Sequence, residues 1–303
     1  MDTRINRREF FITSSSMAIG GALSGLKAIG PVAVATSKIK KGACVGVLPE
    51  GMTVLEKFEL AKRAGFDGIE PNTLNSADEV REYADAVEKT GVRITSIMNS
   101  DHWKYPLSDN DPEVVKKCVE GLKTSLHNAR DLGAGAVLLV PGVVTADVRY
   151  AEVYSRSQDQ IRKLLPLAEE LKVIIAIEDV GNRFLLSPLE MARYVDEFRS
   201  PWVRSYFDIG NVVSTGYPQD WIRTLGKRIC RMHIKRFEPG TDYPKFDPKD
   251  RRTQGIDWPE VRKAMSEIGY DRWVTAEVKS GDESYVKEVS ARLDRIFAGQ
   301  NPV

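Results

Sequence analysis

Four residues able to bind a divalent metal stand at or near the ends of four short apolar runs in the second half of the chain. The runs read VIIAIEDV, RSYFDIGN, ICRMHIKR and WVTAEVK, and lie between Val173 and Lys279. The residues are Glu178, Asp208, His233 and Glu277. Each run has the length and apolar content of a buried strand. In a closed parallel barrel the carboxyl ends of the strands converge on one face, and that face carries the chemistry. One carboxylate at such a place is readily a helix cap or a surface charge. Four in succession at equivalent positions point instead to a shared site.

Strand periodicity agrees, because side chains alternate faces along a strand. In the last run Val274, Ala276 and Val278 share one face, and Thr275, Glu277 and Lys279 share the other. In the third, Met232 and Ile234 lie opposite His233 and Lys235. The apolar face is the one that packs on helices.

The rest of the chain supplies those helices. The pattern predicts further strands at 41–48, 66–71, 92–98 and 136–141. Helices are expected at 53–64, 76–90, 112–132, 150–171, 188–198, 219–227, 258–268 and 282–297. Thr53 reads as an N-cap and Gly65 as a stop. Ser76 and Glu79 are spaced as a capping box, and Pro112 takes a first turn. Eight strands, each followed by a helix, predict an α/β protein built as a single (β/α)8 TIM barrel, an architecture of about 250 residues. A doubly wound open sheet is the rival. It carries a Gly-rich phosphate turn after its first strand, and GVLPEGMT lacks that spacing. No linker rich in Pro, Gly or Ser interrupts residues 36–303, which therefore read as one domain.

The 303 residues include 44 Lys+Arg and 43 Asp+Glu, for a formal charge of +1. That balance offers no basic field for nucleic acid. Hydrophobic residues make up 42%, an ordinary share for a soluble globular chain. Cys44, Cys118 and Cys230 are too few and too scattered for a disulfide framework or a zinc knuckle. Cys44 and Cys230 fall in strands and read as small buried hydrophobes.

Residues 1–35 read as an export signal. They begin MDTRINRREFF, continue through a small-residue and apolar run to Ile29, and reach GPVAVATS. A basic start, an apolar stretch and a small-residue cleavage site are its parts. Arg7 and Arg8 followed by Glu9, Phe10 and Phe11 resemble the twin-arginine motif. The weak, Gly-rich run and Lys27 after it fit that class better than a general secretory signal. Ala33-Val34-Ala35 offers cleavage after Ala35. The run is too short and too Gly-rich to span a bilayer, so the mature protein is expected in the periplasm and off the membrane.

IEDV, YFDIGNVV, RMHIKR and GIDWPEVRKAMSEIGYDRWVTAEV resemble motifs of the xylose-isomerase-like barrels. The likeness is to the sugar phosphate isomerase/epimerase group that includes D-tagatose 3-epimerase, and it runs from Lys41 to Phe297. It implies one metal ion held by Glu178, Asp208, His233 and Glu277. It also implies that Glu178 and Glu277 are the proton-transferring pair on opposite sides of the substrate. The chemistry accounts for these residue types. Moving a proton next to a carbonyl requires a Lewis acid to polarise the carbonyl and hold an enediolate. It also requires a base on one face and, for epimerisation, an acid on the other. An oxygen-rich set with one imidazole suits Mn, Mg, Co or Zn.

Six further residues are candidates for substrate contact: Glu70, His102, Asn211, Lys235, Arg252 and Lys279. Glu70 ends the second strand and is placed to bind a hydroxyl, or else a rim salt bridge. His102, in the loop after the third strand, either reaches substrate oxygens or is solvated. Trp103 and Tyr105 beside it stack on a sugar or anchor the loop. Lys235 and Lys279 follow metal-type residues by two and so face the mouth. There they orient carboxylates, stabilise an oxyanion, or simply neutralise the rim. Arg252 precedes GIDW, where the resembled family often has an arginine on the substrate. Asn211 stands three after Asp208, where several epimerases have histidine, and Arg236 stands where that family often has Asp. His127 falls in a helix and reads as structural. The three histidines are too few for the multi-metal pattern of endonuclease IV, and with the neutral charge they argue against DNA repair.

The expected activity is metal-dependent isomerisation or epimerisation of a small-molecule sugar or glycoside through an enediolate, by a monomer or a homo-oligomer. One alternative in the same scaffold is a lyase or hydratase acting on 3-keto sugars or 3-keto glycosides. Another is a sugar-binding barrel without turnover, which would have little use for two opposed glutamates. An unphosphorylated substrate is expected. The strand ends show no Gly-rich phosphate cradle, and the segment after the seventh strand, EPGTDYPKFDPKDRR, is mixed in charge.

Overall fold

The computed structural model of the protein describes residues 39–241, 243–249 and 255–303. The segment expected to be an export signal, 1–35, and Arg252 lie outside the described residues. Nine parallel strand segments form the sheet: β1 (Lys40–Cys44), β2 (Gly68–Glu70), β3 (Arg93–Ile94), β4 (Ile97–Met98), β5 (Ala136–Leu139), β6 (Ile174–Glu178), β7 (Val203–Asp208), β8 (Ile229–Ile234) and β9 (Trp273–Ala276). Their order is β3-β2-β1-β9-β8-β7-β6-β5-β4.

The two ends of that list are one strand. β3 pairs with β2, β4 pairs with β5, and only Thr95 and Ser96 separate them. An Asn72–Met98 bridge and a 2.9 Å bond from the Met98 N–H to the Pro71 carbonyl join this strand to the end of the second. The sheet is therefore the expected eight-stranded barrel, with β6 to β9 as barrel strands five to eight. The third strand is not the unbroken run that its sequence predicts. Its break falls at two buried hydroxyl residues, one of which, Ser96, bonds the Glu70 carboxylate inside the barrel.

Eight helices cover the outside: α1 (Val54–Ala64), α2 (Ala77–Thr90), α3 (Pro112–Asp131), α4 (Tyr150–Leu171), α5 (Pro188–Asp196), α6 (Pro218–Leu225), α7 (Trp258–Glu267) and α8 (Glu283–Phe297). Thr53 and Glu56 form a reciprocal capping box at the start of α1, and Gly65 ends it at φ 86°. At α2 the box is only half made. The Ser76 hydroxyl accepts from the Glu79 N–H, but the Glu79 carboxylate accepts from Asn75 instead. Such caps stop each helix at a fixed place, which sets the lengths of the loops at the barrel mouth.

The main core lies between barrel and helices. Ile175, Ile177, Phe207, Met232, Ile234 and Val274 meet Leu164, Trp221, Val261 and Leu293 there. Each such buried side chain contributes roughly 1.5–3 kcal/mol. The alternate positions Leu138, Ala176 and Tyr206 belong to a second, smaller cluster, as strand pleating requires. Arg231 of β8 crosses the lower barrel, donating to the Thr95 and Ala134 carbonyls at 2.9 Å each. The interior is tight: a Cβ on Gly42 would fall 2.6 Å from the Thr275 hydroxyl oxygen. No helix among the described residues is long and apolar enough to cross a membrane.

Candidate active site

Glu178 closes β6, Asp208 closes β7 and His233 stands one residue before the end of β8. Glu277 follows β9, its N–H bonded to the Ile234 carbonyl at 3.0 Å. Asp208 and His233 are register partners. One potential ligand atom from each of the four lies within 4.8 Å of all the others. The structure thus brings all four residues together, on the face formed by the carboxyl ends of the strands.

Contacts within the cluster are close. His233 Nδ1 lies 3.1 Å from Glu178 Oε1 and 3.5 Å from Glu277 Oε2. Lys235 Nζ lies 3.0 Å from Asp208 Oδ2 and 2.6 Å from Glu277 Oε2. Asp208 Oδ1 accepts from the N–H groups of Gly210 and Asn211 at 2.7 and 2.9 Å. That turn holds the carboxylate so that Oδ2 is left for another partner. Asp208 Oδ2 and Glu277 Oε2 are both buried and share the Lys235 ammonium as their cationic partner. Two buried carboxylate oxygens turned toward the cluster, a third carboxylate and an imidazole nitrogen are a donor set that fits a divalent, oxygen-preferring ion.

The two glutamates are tuned in opposite directions. Burial pushes the Glu178 carboxyl up to about 7, with the His233 hydrogen bond opposing the shift. Burial acts on Glu277 as well, but His233 and Lys235 overcome it and hold that carboxyl well below the usual range.

The substrate-contact candidates divide. Glu70 does not face the mouth. It is 1% exposed and lies beneath His233, with Oε2 2.6 Å from His233 Nε2 and 3.3 Å from Cys44 Sγ. Its Oε1 accepts from the hydroxyls of Tyr206 and Ser96. With both oxygens engaged below the imidazole, Glu70 has none left for a sugar hydroxyl. His102 is not a solvated loop residue. It is buried, and its Nδ1 accepts from the Val140 N–H at 3.3 Å. Burial lowers its pKa to about 4, against the opposing charge of Glu277, so at neutral pH it is an uncharged Nε2–H donor. Trp103 is half exposed and edge-on to it, with ring centroids 5.8 Å apart. Tyr105 is held between the ammonium groups of Lys104 and Lys117. Asn211 donates its side-chain amide to the Asp179 carbonyl at 2.8 Å. Lys235 sits within the cluster, whereas Lys279 is exposed and enters none of the site's ion pairs among the described residues.

Sequence reasoning missed Cys44, Ser96 and Tyr206, which surround Glu70, and Asp179, whose carboxylate accepts from the Asp208 N–H at 3.0 Å. Tyr206 had a usable signal: it lies two residues before Asp208 and so shares its face. Asp179 directly follows a ligand-type residue.

Fold and site together define a (β/α)8 barrel whose strand ends carry three carboxylates and an imidazole in one metal-type cluster. The chain belongs to the xylose isomerase-like TIM barrel family, whose model matches residues 58–296. It is 27% identical over 216 residues to the L-ribulose-5-phosphate 3-epimerase UlaE of Escherichia coli O1:K1 / APEC, covering 68% of this chain and 76% of that one. Among solved structures, the E. coli 3-keto-D-glucoside 4-epimerase YcjR matches with a TM-score of 0.71 at 17% identity, covering 86% of this chain and 100% of that one. An L-ribulose 3-epimerase also matches at 0.71, with 19% identity, covering 86% of this chain and 95% of that one. The structural matches bear on the fold, which they share.

Proposed function

We propose that this protein is a metal-dependent sugar epimerase that moves a proton at the carbon beside a ketone, through an enediolate. The observation that carries this reading is the pairing of Glu178 and Glu277. They come from the fifth and eighth barrel strands and share one cluster. Its relatives in sequence and fold include epimerases of ketoses and of a keto-glucoside.

Glu178, Asp208, His233 and Glu277 would hold the ion. When bound, it supplies the Lewis acidity that polarises the ketone. Glu277 and Glu178, from the eighth and fifth barrel strands, would take the proton from one face of the substrate and return it on the other. The reverse reaction exchanges their roles. The Nε2–H of His102 is a neutral donor for a sugar oxygen, and the exposed indole of Trp103 offers a face for the ring. Deuterium uptake from solvent by the substrate is the direct test, and chelator should stop it.

The substrate is proposed to be unphosphorylated. Many barrels bind phosphate with the loops after strands seven and eight. Here the helices that follow those loops have capped first turns. Asp257 accepts from the Glu260 N–H at 3.1 Å, and Asp282 from the Tyr285 N–H at 2.8 Å. A carboxylate there occupies the donors and repels a second anion. The name of the UlaE relative carries a phosphate, so L-ribulose and L-ribulose 5-phosphate are the informative pair. The free ketose is expected to give the higher kcat/KM, and a clear preference for the phosphate would overturn this reading.

Export through the twin-arginine route is proposed from Arg7, Arg8 and the weak apolar run after them. Replacing both arginines by lysine is expected to leave the protein in the cytoplasm. Efficient export of that double variant would rule the route out.

A further inference from the structure

A neutral imidazole has one N–H donor and one lone pair, and its partners decide which nitrogen carries which. His233 Nδ1 faces the cluster, 3.1 Å from Glu178 Oε1. Its Nε2 faces away from it, 2.6 Å from Glu70 Oε2. Glu70 is surrounded by donors. Tyr206 donates to its Oε1 at 2.9 Å, Ser96 donates to the same oxygen, and the Cys44 thiol lies 3.3 Å from Oε2. Tyr206 also leans on the imidazole, with ring centroids 4.5 Å apart. Every side chain of this group is buried. Apart from Tyr206 they come from barrel strands one to three, which carry none of the four cluster residues.

We infer that Glu70 is a positioning residue. Held by Ser96, Tyr206 and Cys44, it fixes the His233 proton on Nε2 and so keeps the Nδ1 lone pair directed at the metal cluster. The inference rests on the proposed role of His233 as a ligand. A carboxylate behind a ligating histidine orients the ring and raises its basicity, and losing it typically costs about 10–100-fold in metal affinity. Cys44, Glu70 and His233 also converge closely enough to suggest a second ion. The 2.6 Å between Nε2 and Oε2 argues otherwise. An ion bound between them would need about 2.0–2.2 Å to each, whereas a shared proton fits the gap.

The test uses the full chain loaded with Zn2+, with chelator competition for affinity and proton NMR for the Nε2–H resonance. Wild type should bind one ion per chain and show a far-downfield exchangeable proton. Glu70→Gln should weaken Zn2+ by ~10–100-fold and move that proton upfield. Tyr206→Phe and Ser96→Ala keep the Glu70 charge and should shift the resonance with a smaller loss of affinity. They decide the matter if Glu70→Gln does not fold. Wild-type affinity and an unmoved resonance in the folded variants would overturn the inference. So would a second bound ion that Cys44→Ser removes. A His233→Ala variant separates the two levels. If it binds Zn2+ as wild type does, the ligand role of His233 itself fails. If it binds poorly while Glu70→Gln binds normally, only the positioning role fails.

Discussion

Replacing Glu178 or Glu277 by glutamine is expected to slow turnover of the cognate ketose by at least ~10²-fold, the usual scale of general acid–base catalysis. Glutamine keeps the size of the side chain and can still offer an oxygen, but it cannot accept the proton. The loss will be larger where the substitution also weakens metal binding. In deuterated water the wild-type protein should place deuterium at the carbon beside the ketone of both epimers, and each variant should lose this exchange with the epimer whose proton faces the replaced residue. The same run separates the competing activities. An epimerase gives an isomer with no mass change beyond the label. A lyase gives an unsaturated product and a leaving group, and a binding protein gives neither. Undiminished turnover of a confirmed substrate in both variants would end the proposal.

His233→Ala should produce the largest effect on the protein as a whole. It removes one member of the cluster, and it strands the Glu70 carboxylate in a fully buried place. Breaking a buried pair from one side costs about 3–5 kcal/mol. In the native chain burial alone would raise the Glu70 carboxyl, but His233, Ser96 and Tyr206 overcome that and hold it low. Without the imidazole the burial effect gains weight. The stability gap to wild type should therefore be widest at neutral pH and shrink as acid protonates Glu70. The direction follows from linkage: a depressed carboxyl gives the wild type stability that is lost as pH falls, and a raised one penalises the variant only while it is ionised. Denaturant titrations across pH, with elemental analysis of metal content, check both parts. Unchanged metal content would remove His233 from the site, and unchanged stability would mean that Glu70 has other sufficient partners.

The four cluster residues were legible because each sits near the end of an apolar run, where alternation gives facing and run length gives position. Glu70 satisfied the same rule and was misread. Alternation shows that a side chain points into the barrel but not how high it sits along the axis. Glu70 is register partner to Cys44 of β1, and at that level it lies under His233 rather than beside a sugar. For His102 only the solvated alternative falls, and for a different reason. A loop residue looks solvated until the backbone of another loop, here at Val140, closes on it. The break in the third strand had no local signal either, because Thr95 and Ser96 are acceptable strand residues. Their partners, Glu70 and Tyr206 among them, are distant in sequence.

That break has a mechanical meaning. A hoop of strands carries strain all the way round and yields at its thinnest joint. β3 and β4 each pair with their neighbour over only two residues, whereas β6 pairs over four on either side. Arg231 ties the seventh barrel strand to this joint from across the hoop, like a spoke. The arc with the longer pairings thus holds the four cluster residues, and the arc with the shorter ones leads into the loop of His102 and Trp103.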